Sequence, residues 1–91
     1  MSSAIVFYKK MNQNQIGFTA SKKVGNAVMR NFAKRRLRAL FAEFSESLTG
    51  GTYIFVAKKD IIDIEFSKLK NDIYKALKRV GAFKNDKKSN S

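Results

Sequence analysis

The residues of this chain that could take part in chemistry are concentrated between Lys22 and Arg38, which read KKVGNAVMRNFAKRRLR. This stretch contains seven Lys or Arg residues and no acidic residue, and the first carboxylate of the whole chain is Glu43. Positive charge that no nearby carboxylate neutralises is typical of surfaces that bind a polyanion. These residues therefore predict binding to the phosphates of a nucleic acid.

Three of the cations, Arg30, Lys34 and Arg38, recur every four residues, so on a helix they form one line, named here the basic ridge. Asn31 and Arg35 extend this ridge outward. A solvated helix face is the alternative interpretation. Such faces usually mix both signs of charge, and acidic partners are missing here, so RNA or DNA contact is favoured.

The segment before the helix adds Lys22 and Lys23, followed by Gly25. Asn26 is a suitable N-cap residue, because its side chain can accept from free amides of the first helical turn. A phosphate could then meet backbone amides at the helix N-terminus, although Gly25 could equally serve only to relax the chain. The spacing matches neither a Walker loop nor a dinucleotide fingerprint.

The composition argues against a self-contained enzyme. The chain has 91 residues, a net charge of +12, no Cys and no His, so thiolate metal sites and the commonest general base are excluded. Its seven carboxylates form no convincing pair for holding metal ions: Glu43, Glu46, Asp60, Asp63, Glu65, Asp72 and Asp86. No apolar run approaches the roughly 20 residues of a membrane span, and no signal peptide is visible. We expect a cytoplasmic binding protein without a membrane partner.

Hydrophobic patterning predicts the element order strand, strand, helix, strand, helix. The first two strands, joined by a polar connector, are expected to form a hairpin. The third strand is apolar on both faces and is therefore expected to be central. The predicted elements are Ala4–Tyr8, Ile16–Ala20, a helix from about Asn26 or Ala27 to Leu48, Thr52–Lys58, and a helix from a cap at Asp63 to about Val80.

The predicted fold class is thus α/β of the α+β kind, with two amphipathic helices on a small sheet. Residues 1–81 are predicted to form a single RNA-binding domain, and residues 82–91 a polar, flexible tail. Two aromatic residues are harder to interpret. Tyr8 could stack on an unpaired base or be an ordinary sheet residue. Phe32 falls away from the apolar stripe of its helix, among Arg35 and Arg36, where it could be a stacking platform, a contact to an N-terminal segment or a neutral replacement.

The run from Gly17 to Asn31, GFTASKKVGNAVMRN, followed by Lys34, Arg35 and Arg38, closely resembles the signature of the bacterial ribonuclease P protein subunit. The strand YIFVAKK and the closing helix follow in the order of that family. The resemblance covers nearly all of residues 5–80.

This resemblance implies a mainly antiparallel sheet with a left-handed crossover through the main helix. It implies a non-catalytic subunit of an endoribonuclease, whose RNA subunit removes the 5′ leader of precursor tRNA with Mg²⁺ that is mainly RNA-bound. The expected partners are that catalytic RNA and precursor tRNA, with no obligatory protein partner. The implied RNA-facing residues are Lys22, Lys23, Arg30, Asn31, Lys34, Arg35 and Arg38, and Tyr8 matches an aromatic of the leader-binding cleft.

Two departures from the family pattern are visible. Phe32 stands where the family usually has Arg, which removes one expected cationic contact. The family also begins with a helix that supplies aromatics to the leader cleft, and this sequence lacks a counterpart, so weaker leader binding is expected. A ribosomal or general RNA-binding protein with no role in tRNA processing is the alternative. A membrane-surface protein is disfavoured by the three predicted strands, and an autonomous nuclease would cleave without added RNA.

Overall fold

Three strands form a mixed sheet in the order β1–β3–β2 in the computed structural model, which describes residues 3–84. The strands are β1 (Ala4–Lys9), β2 (Gln15–Ala20) and β3 (Thr52–Ala57). β1 runs antiparallel to β3, and β2 runs parallel to it. The α+β class and the central position of β3 are confirmed. The sheet itself is mixed, with one pairing of each kind, where a mainly antiparallel sheet was expected.

The predicted hairpin of β1 and β2 is wrong, because β3 lies between the two strands. Lys9 and Gln15 both pair with Thr52, from opposite sides, so their connector crosses the end of β3 and spans two strand spacings, about 10 Å. Gly51 makes room for it: its φ is +150°, and a Cβ there would lie 2.5 Å from the Lys9 carbonyl oxygen. The Gly51 amide also donates to Asn14 Oδ1 at 3.0 Å. A connector of this length fits either topology, which is why local sequence did not separate them.

Two helices cover one face of the sheet: α1 (Ala27–Phe44) and α2 (Phe66–Arg79). Each contributes an apolar stripe at helical spacing to a single core, and alternate residues of β3 supply its floor. The buried residues of these elements are Ala33, Leu37, Leu40, Leu69, Ile73, Leu77, Tyr53, Phe55 and Ala57. Because α1 connects the parallel neighbours β2 and β3, it forms the crossover that the resemblance implies, whose left-handed sense stays a prediction.

Both helices are shorter than predicted. α1 ends at Phe44, and a 3₁₀ turn at Ser45–Ser47 follows it. Leu48 still reaches the core with 5% exposure, but it does so in extended conformation and forms a β-bridge with Phe83. At the second helix the N-cap position is Glu65 rather than the predicted Asp63, which ends the preceding 3₁₀ turn.

The chain remains packed beyond the predicted domain end at residue 81. Ala82 is fully buried, and its carbonyl accepts from the Thr49 amide at 2.7 Å. The ring of Phe83 lies 5.9 Å from that of Phe44 and 5.2 Å from that of Tyr74. Residues 82–84 are therefore packed against the domain rather than part of a flexible tail, and residues 85–91 of the predicted tail lie outside the described residues.

Candidate nucleic-acid interface

The residues immediately before α1 form a short turn that a side-chain hydrogen bond stabilises. Ser21 Oγ accepts from the Lys23 amide at 3.2 Å, and a 3₁₀ turn spans Lys22–Val24. Val24 is buried with 4% exposure and anchors this turn to the core, which leaves Lys22 and Lys23 exposed. The two lysines therefore lie in solvent at the N-terminal end of α1, where the helix dipole also favours anions.

The start of α1 confirms the predicted cap. Asn26 Oδ1 accepts from the Met29 amide at 3.0 Å, which satisfies one free donor of the first turn. Gly25 precedes it with a φ of +144°, and a Cβ at this position would lie 2.5 Å from Met29 Sδ. The backbone conformation therefore favours glycine here, whereas the partly exposed Met29 side chain can rotate to make room.

The basic ridge borders a groove between α1 and the edge strand β2. Arg30 and Lys34 are half-buried along it, and Asn31 is exposed beside them. Together with Thr19 and Ala20 of β2, these side chains and Ala27 line a depression of about 260 Å³. The predicted neighbours Arg30, Asn31 and Lys34 are therefore brought together at one groove, while Arg35 lies exposed on the outward side of the helix.

Arg38, the last residue of the ridge, lies over an aromatic ring of the sheet. Its guanidinium carbon is 5.3 Å from the centroid of Phe18, which stacks on Phe55 at 5.5 Å. This cation–π contact restricts the long side chain without neutralising its charge. Arg38 is therefore held near the end of the groove with its charge available to a ligand.

Carboxylates do not neutralise this surface. Among residues 3–84 one ion pair is present, Lys70 Nζ to Glu43 Oε1 at 2.7 Å, and it joins α2 to the far end of α1. Within that range, none of the six cations among the predicted contact residues is therefore paired with a carboxylate, and Asn31 has no carboxylate partner either. Such a surface attracts a polyanion through the summed field of its charges.

The opposite face of the sheet, called here the open face, is covered by no other element among the described residues. Side chains alternate across a strand, so Thr52, Ile54 and Val56 of β3 point to this face, together with the β1 and β2 residues that pair with them. It consists of Ile5, Phe7, Lys9, Gln15, Gly17, Thr19, Thr52, Ile54 and Val56. Phe7 is 56% exposed and Ile54 40% exposed. A shallow depression of about 370 Å³ lies beside Gly17, which has no side chain to fill it.

Tyr8, the predicted leader-binding aromatic, lies on the helix-covered face rather than the open one. It is paired with Tyr53, and the ring centroids are 4.7 Å apart. Its hydroxyl donates to the Gly50 carbonyl at 3.2 Å. Phe7 is the exposed aromatic of this strand, and sequence reasoning missed it. Every residue from Ala4 to Tyr8 is apolar or aromatic, so no alternation of polarity marked the solvent side.

The Tyr8–Tyr53 pair is a structural anchor for the turn before β3. The Tyr53 hydroxyl donates to the Thr49 carbonyl, and only 3% of the residue is exposed to solvent. Burial raises the pKa of Tyr53 to about 12, and the adjacent Tyr8 hydroxyl adds to this effect. Both phenols therefore hold the Thr49–Gly51 segment against the sheet.

Within residues 3–84, no three Asp or Glu residues are grouped closely enough to hold a metal ion. A magnesium site built from three or more carboxylates is therefore not present among the described residues. None of the described helices is long and apolar enough to cross a membrane.

A helix with an unneutralised cationic groove, set on a small mixed sheet with one open face, defines an α+β protein built to bind an extended polyanion. The chain belongs to the ribonuclease P family: the family model described as Ribonuclease P matches residues 2–81. It is similar to the ribonuclease P protein component of a Nitratiruptor species, with 43% identity over 76 residues that make up 84% of this chain and 70% of that protein.

Two further comparisons agree with this assignment. The ribonuclease P protein component of Paramagnetospirillum magneticum is 44% identical over 70 residues, which cover 75% of this chain and 53% of that protein. The solved structure of the Staphylococcus aureus RNase P protein superimposes with a TM-score of 0.75 at 26% identity. That match covers 88% of this chain and 76% of the other. The chain thus spans between about half and three quarters of these proteins.

Proposed function

We propose that this chain is the protein subunit of a ribonuclease P, which binds the catalytic RNA and precursor tRNA and assists removal of the tRNA 5′ leader. The observation that carries the proposal is the basic ridge with its groove, in a member of the ribonuclease P family. A cytoplasmic location belongs to the same proposal, because the proposed RNA partners are cytoplasmic molecules.

In this proposal the groove positions RNA backbone. Lys22 and Lys23 contact phosphates at the start of α1, and the ridge continues these contacts along the helix. Asn31 and Arg35 add a hydrogen-bonding group and a charge on the outward side. Each cation that meets a phosphate releases condensed counterions, which is the main source of sequence-independent affinity.

Hydrolysis is assigned to the RNA subunit, with Mg²⁺ bound mainly by RNA phosphates. This assignment is supported by the lack of His and Cys in the chain and of a carboxylate cluster among the described residues. The protein's contribution is then electrostatic. Its positive charge lowers the repulsion between the two RNA molecules, so less Mg²⁺ is needed for them to associate.

The open face is the proposed support for the unpaired leader. Phe7 presents its ring there, and aromatic rings stack on unpaired bases irrespective of sequence. Tyr8, which the resemblance assigns to this role, would act from the other side of the sheet by holding the Thr49–Gly51 turn. The relative effects of substituting Phe7 and Tyr8 decide between the two assignments.

The testing experiment measures 5′ maturation of a precursor tRNA at low Mg²⁺ with catalytic RNA alone, protein alone, and both. We expect cleavage by both together, little cleavage by RNA alone, and none by protein alone. Protein-only cleavage that survives re-purification would indicate an autonomous nuclease. RNA binding without any effect on maturation would favour the alternative, a general RNA-binding protein.

A further inference from the structure

An arginine held between two exposed aromatic rings lies on the flank of α1 that faces α2. The guanidinium carbon of Arg36 is 5.5 Å from the ring centroid of Phe32 and 5.8 Å from that of Phe66, the first residue of α2. The same guanidinium donates to the Ile61 carbonyl. These three side chains, Phe32, Arg36 and Phe66, are named here the aromatic–arginine patch.

Contacts within the chain leave much of this patch exposed to solvent. Phe32 is 43% exposed and Phe66 40% exposed, so each ring keeps a large part of its surface in water. Val28 and Met29, one turn before Phe32, are also exposed, at 76% and 39%. Exposed aromatic, aliphatic and Met side chains around an Arg are the composition of a contact surface rather than of an ordinary solvated helix face.

The charges around the patch favour contact with a base rather than with a phosphate. Among the described residues no carboxylate lies within 4 Å of the Arg36 guanidinium, so this charge by itself would attract a phosphate. However, Asp63 and Glu65 precede Phe66 in the chain and disfavour a phosphate beside that ring. A neutral, planar group is therefore the better ligand for the ring faces.

The patch lies next to the proposed RNA-binding residues. Each helical residue advances the direction of its side chain by about 100°, so Phe32 lies roughly 60° from Arg35 and 160° from Lys34. Arg35 thus separates the patch from the basic ridge on a helix only about 10 Å across. An RNA strand that contacts the outward side of α1 reaches both flanks within a few nucleotides.

We propose that the aromatic–arginine patch stacks on an unpaired base of RNA whose backbone is held by the basic ridge. This inference rests on the proposed function, since it requires RNA on α1. Exposed bases stack on aromatic rings and on Arg guanidinium planes. Phe32, which removes one cation from the family pattern, then supplies a stacking surface in place of a phosphate contact.

The test compares Phe32→Leu and Phe66→Leu, which remove a ring, with Phe32→Tyr, which retains it. Tyr74→Leu is the matched control, because Tyr74 is 41% exposed and has the Lys78 ammonium 5.9 Å from its ring centroid. The probes are a single-stranded RNA of about ten nucleotides and a strand of equal length that lacks its bases. Affinity is measured by fluorescence anisotropy over a range of salt, and thermal melting is recorded for each variant.

We expect each Leu variant of the patch to lose about fivefold or more in affinity for the normal strand, the lower end of a single stacking contact. Affinity for the strand without bases, and the salt dependence, should stay unchanged. Phe32→Tyr and Tyr74→Leu should bind like the original chain. Unchanged binding in both Leu variants, or an equal loss on both strands, would overturn the proposal and leave the patch as a brace between α1 and α2 or a contact for a protein.

The two proposals fail differently in this assay. Alanine substitution of the basic ridge should reduce salt dependence on both strands alike, because phosphates are present in both. If the ridge behaves so and the patch variants do not, only the stacking proposal is refuted. If the ridge variant has no effect on either strand, the proposed RNA contact along α1 is refuted with it.

Discussion

Replacing Arg30, Lys34 and Arg38 together with alanine tests whether the basic ridge contacts phosphate. The substitution leaves the buried stripe of α1 intact, and alanine is a favourable helix residue. The one described contact that it removes from the sheet is the cation–π pair of Arg38 and Phe18, worth about 0.5–1 kcal/mol at exposed sites. We therefore expect the fold to persist with a small loss of stability.

The expected effect on binding follows from counterion release. Each phosphate contact contributes about 0.7 to 0.9 to the slope of log affinity against log salt, so three contacts contribute roughly 2 to 3. Between about 50 and 200 mM salt the logarithm of the salt concentration rises by about 0.6. The affinity advantage of the original chain over the variant should therefore shrink roughly 20- to 40-fold across this range.

The matched control replaces Lys68, Lys75 and Lys78 of α2 with alanine. Like the ridge variant, it removes three positive charges and one cation–π contact, here that of Lys78 with Tyr74 at 5.9 Å. Binding to a precursor tRNA transcript is measured by anisotropy at several salt concentrations. Equal slope changes in the two variants would show that net charge rather than the ridge matters. An unchanged slope in the ridge variant would make it an ordinary solvated helix face.

Phe7→Leu should weaken binding to precursor tRNA about fivefold or more relative to mature tRNA. Tyr8→Leu should lower the stability of the protein and leave the ratio of the two affinities unchanged. A selective loss of precursor binding in the Tyr8 variant alone would assign the leader contact to Tyr8. Gly51→Ala should lower the free energy of unfolding in urea by roughly 1–3 kcal/mol, because the φ of Gly51 is +150°. Gly17→Ala is the control: the nearest neighbouring atom is 3.9 Å away, so this change should be neutral or up to about 1 kcal/mol stabilising. Similar losses in both variants would contradict a special role of Gly51 where the connector crosses β3. The Tyr53 pKa of about 12 lies above its ordinary value of 10.0, so its contribution to stability is complete below pH 10.0 and is lost as pH rises through 12. The urea midpoint of the Tyr53→Phe variant should therefore fall less steeply between about pH 10 and 12 than that of the original chain. Identical pH profiles of the two proteins would refute this assignment.

Local patterns in the sequence determine much of the architecture. The three- and four-residue spacing of Ala33, Leu37 and Leu40 predicted α1 and its buried side, and Asn26 caps it as expected. Capping and helical periodicity act over a few residues, so they can be recognised in a sequence. The apolar run of β3 predicted a central strand for a similar reason, since a strand buried within a sheet tolerates few polar side chains.

The cationic character of α1 was also evident from the sequence, because net charge depends on composition rather than on packing. The seven predicted contact residues are exposed or half-buried, and Arg30, Asn31 and Lys34 share one groove. Their contact with RNA stays a prediction. Sequence periodicity placed these residues on a surface, and packing against β2 made part of that surface concave.

Only the tertiary structure decided the strand order and which aromatics face solvent. Pairing of β1 and β2 with opposite edges of β3 joins residues that are far apart in the chain, and a short polar connector fits a hairpin equally well. That pairing turned Tyr8 toward the helices and Phe7 toward the open face. Likewise, Arg36 meets Phe66 because α2 packs beside α1. Such contacts depend on the global arrangement of elements, which local periodicity does not encode.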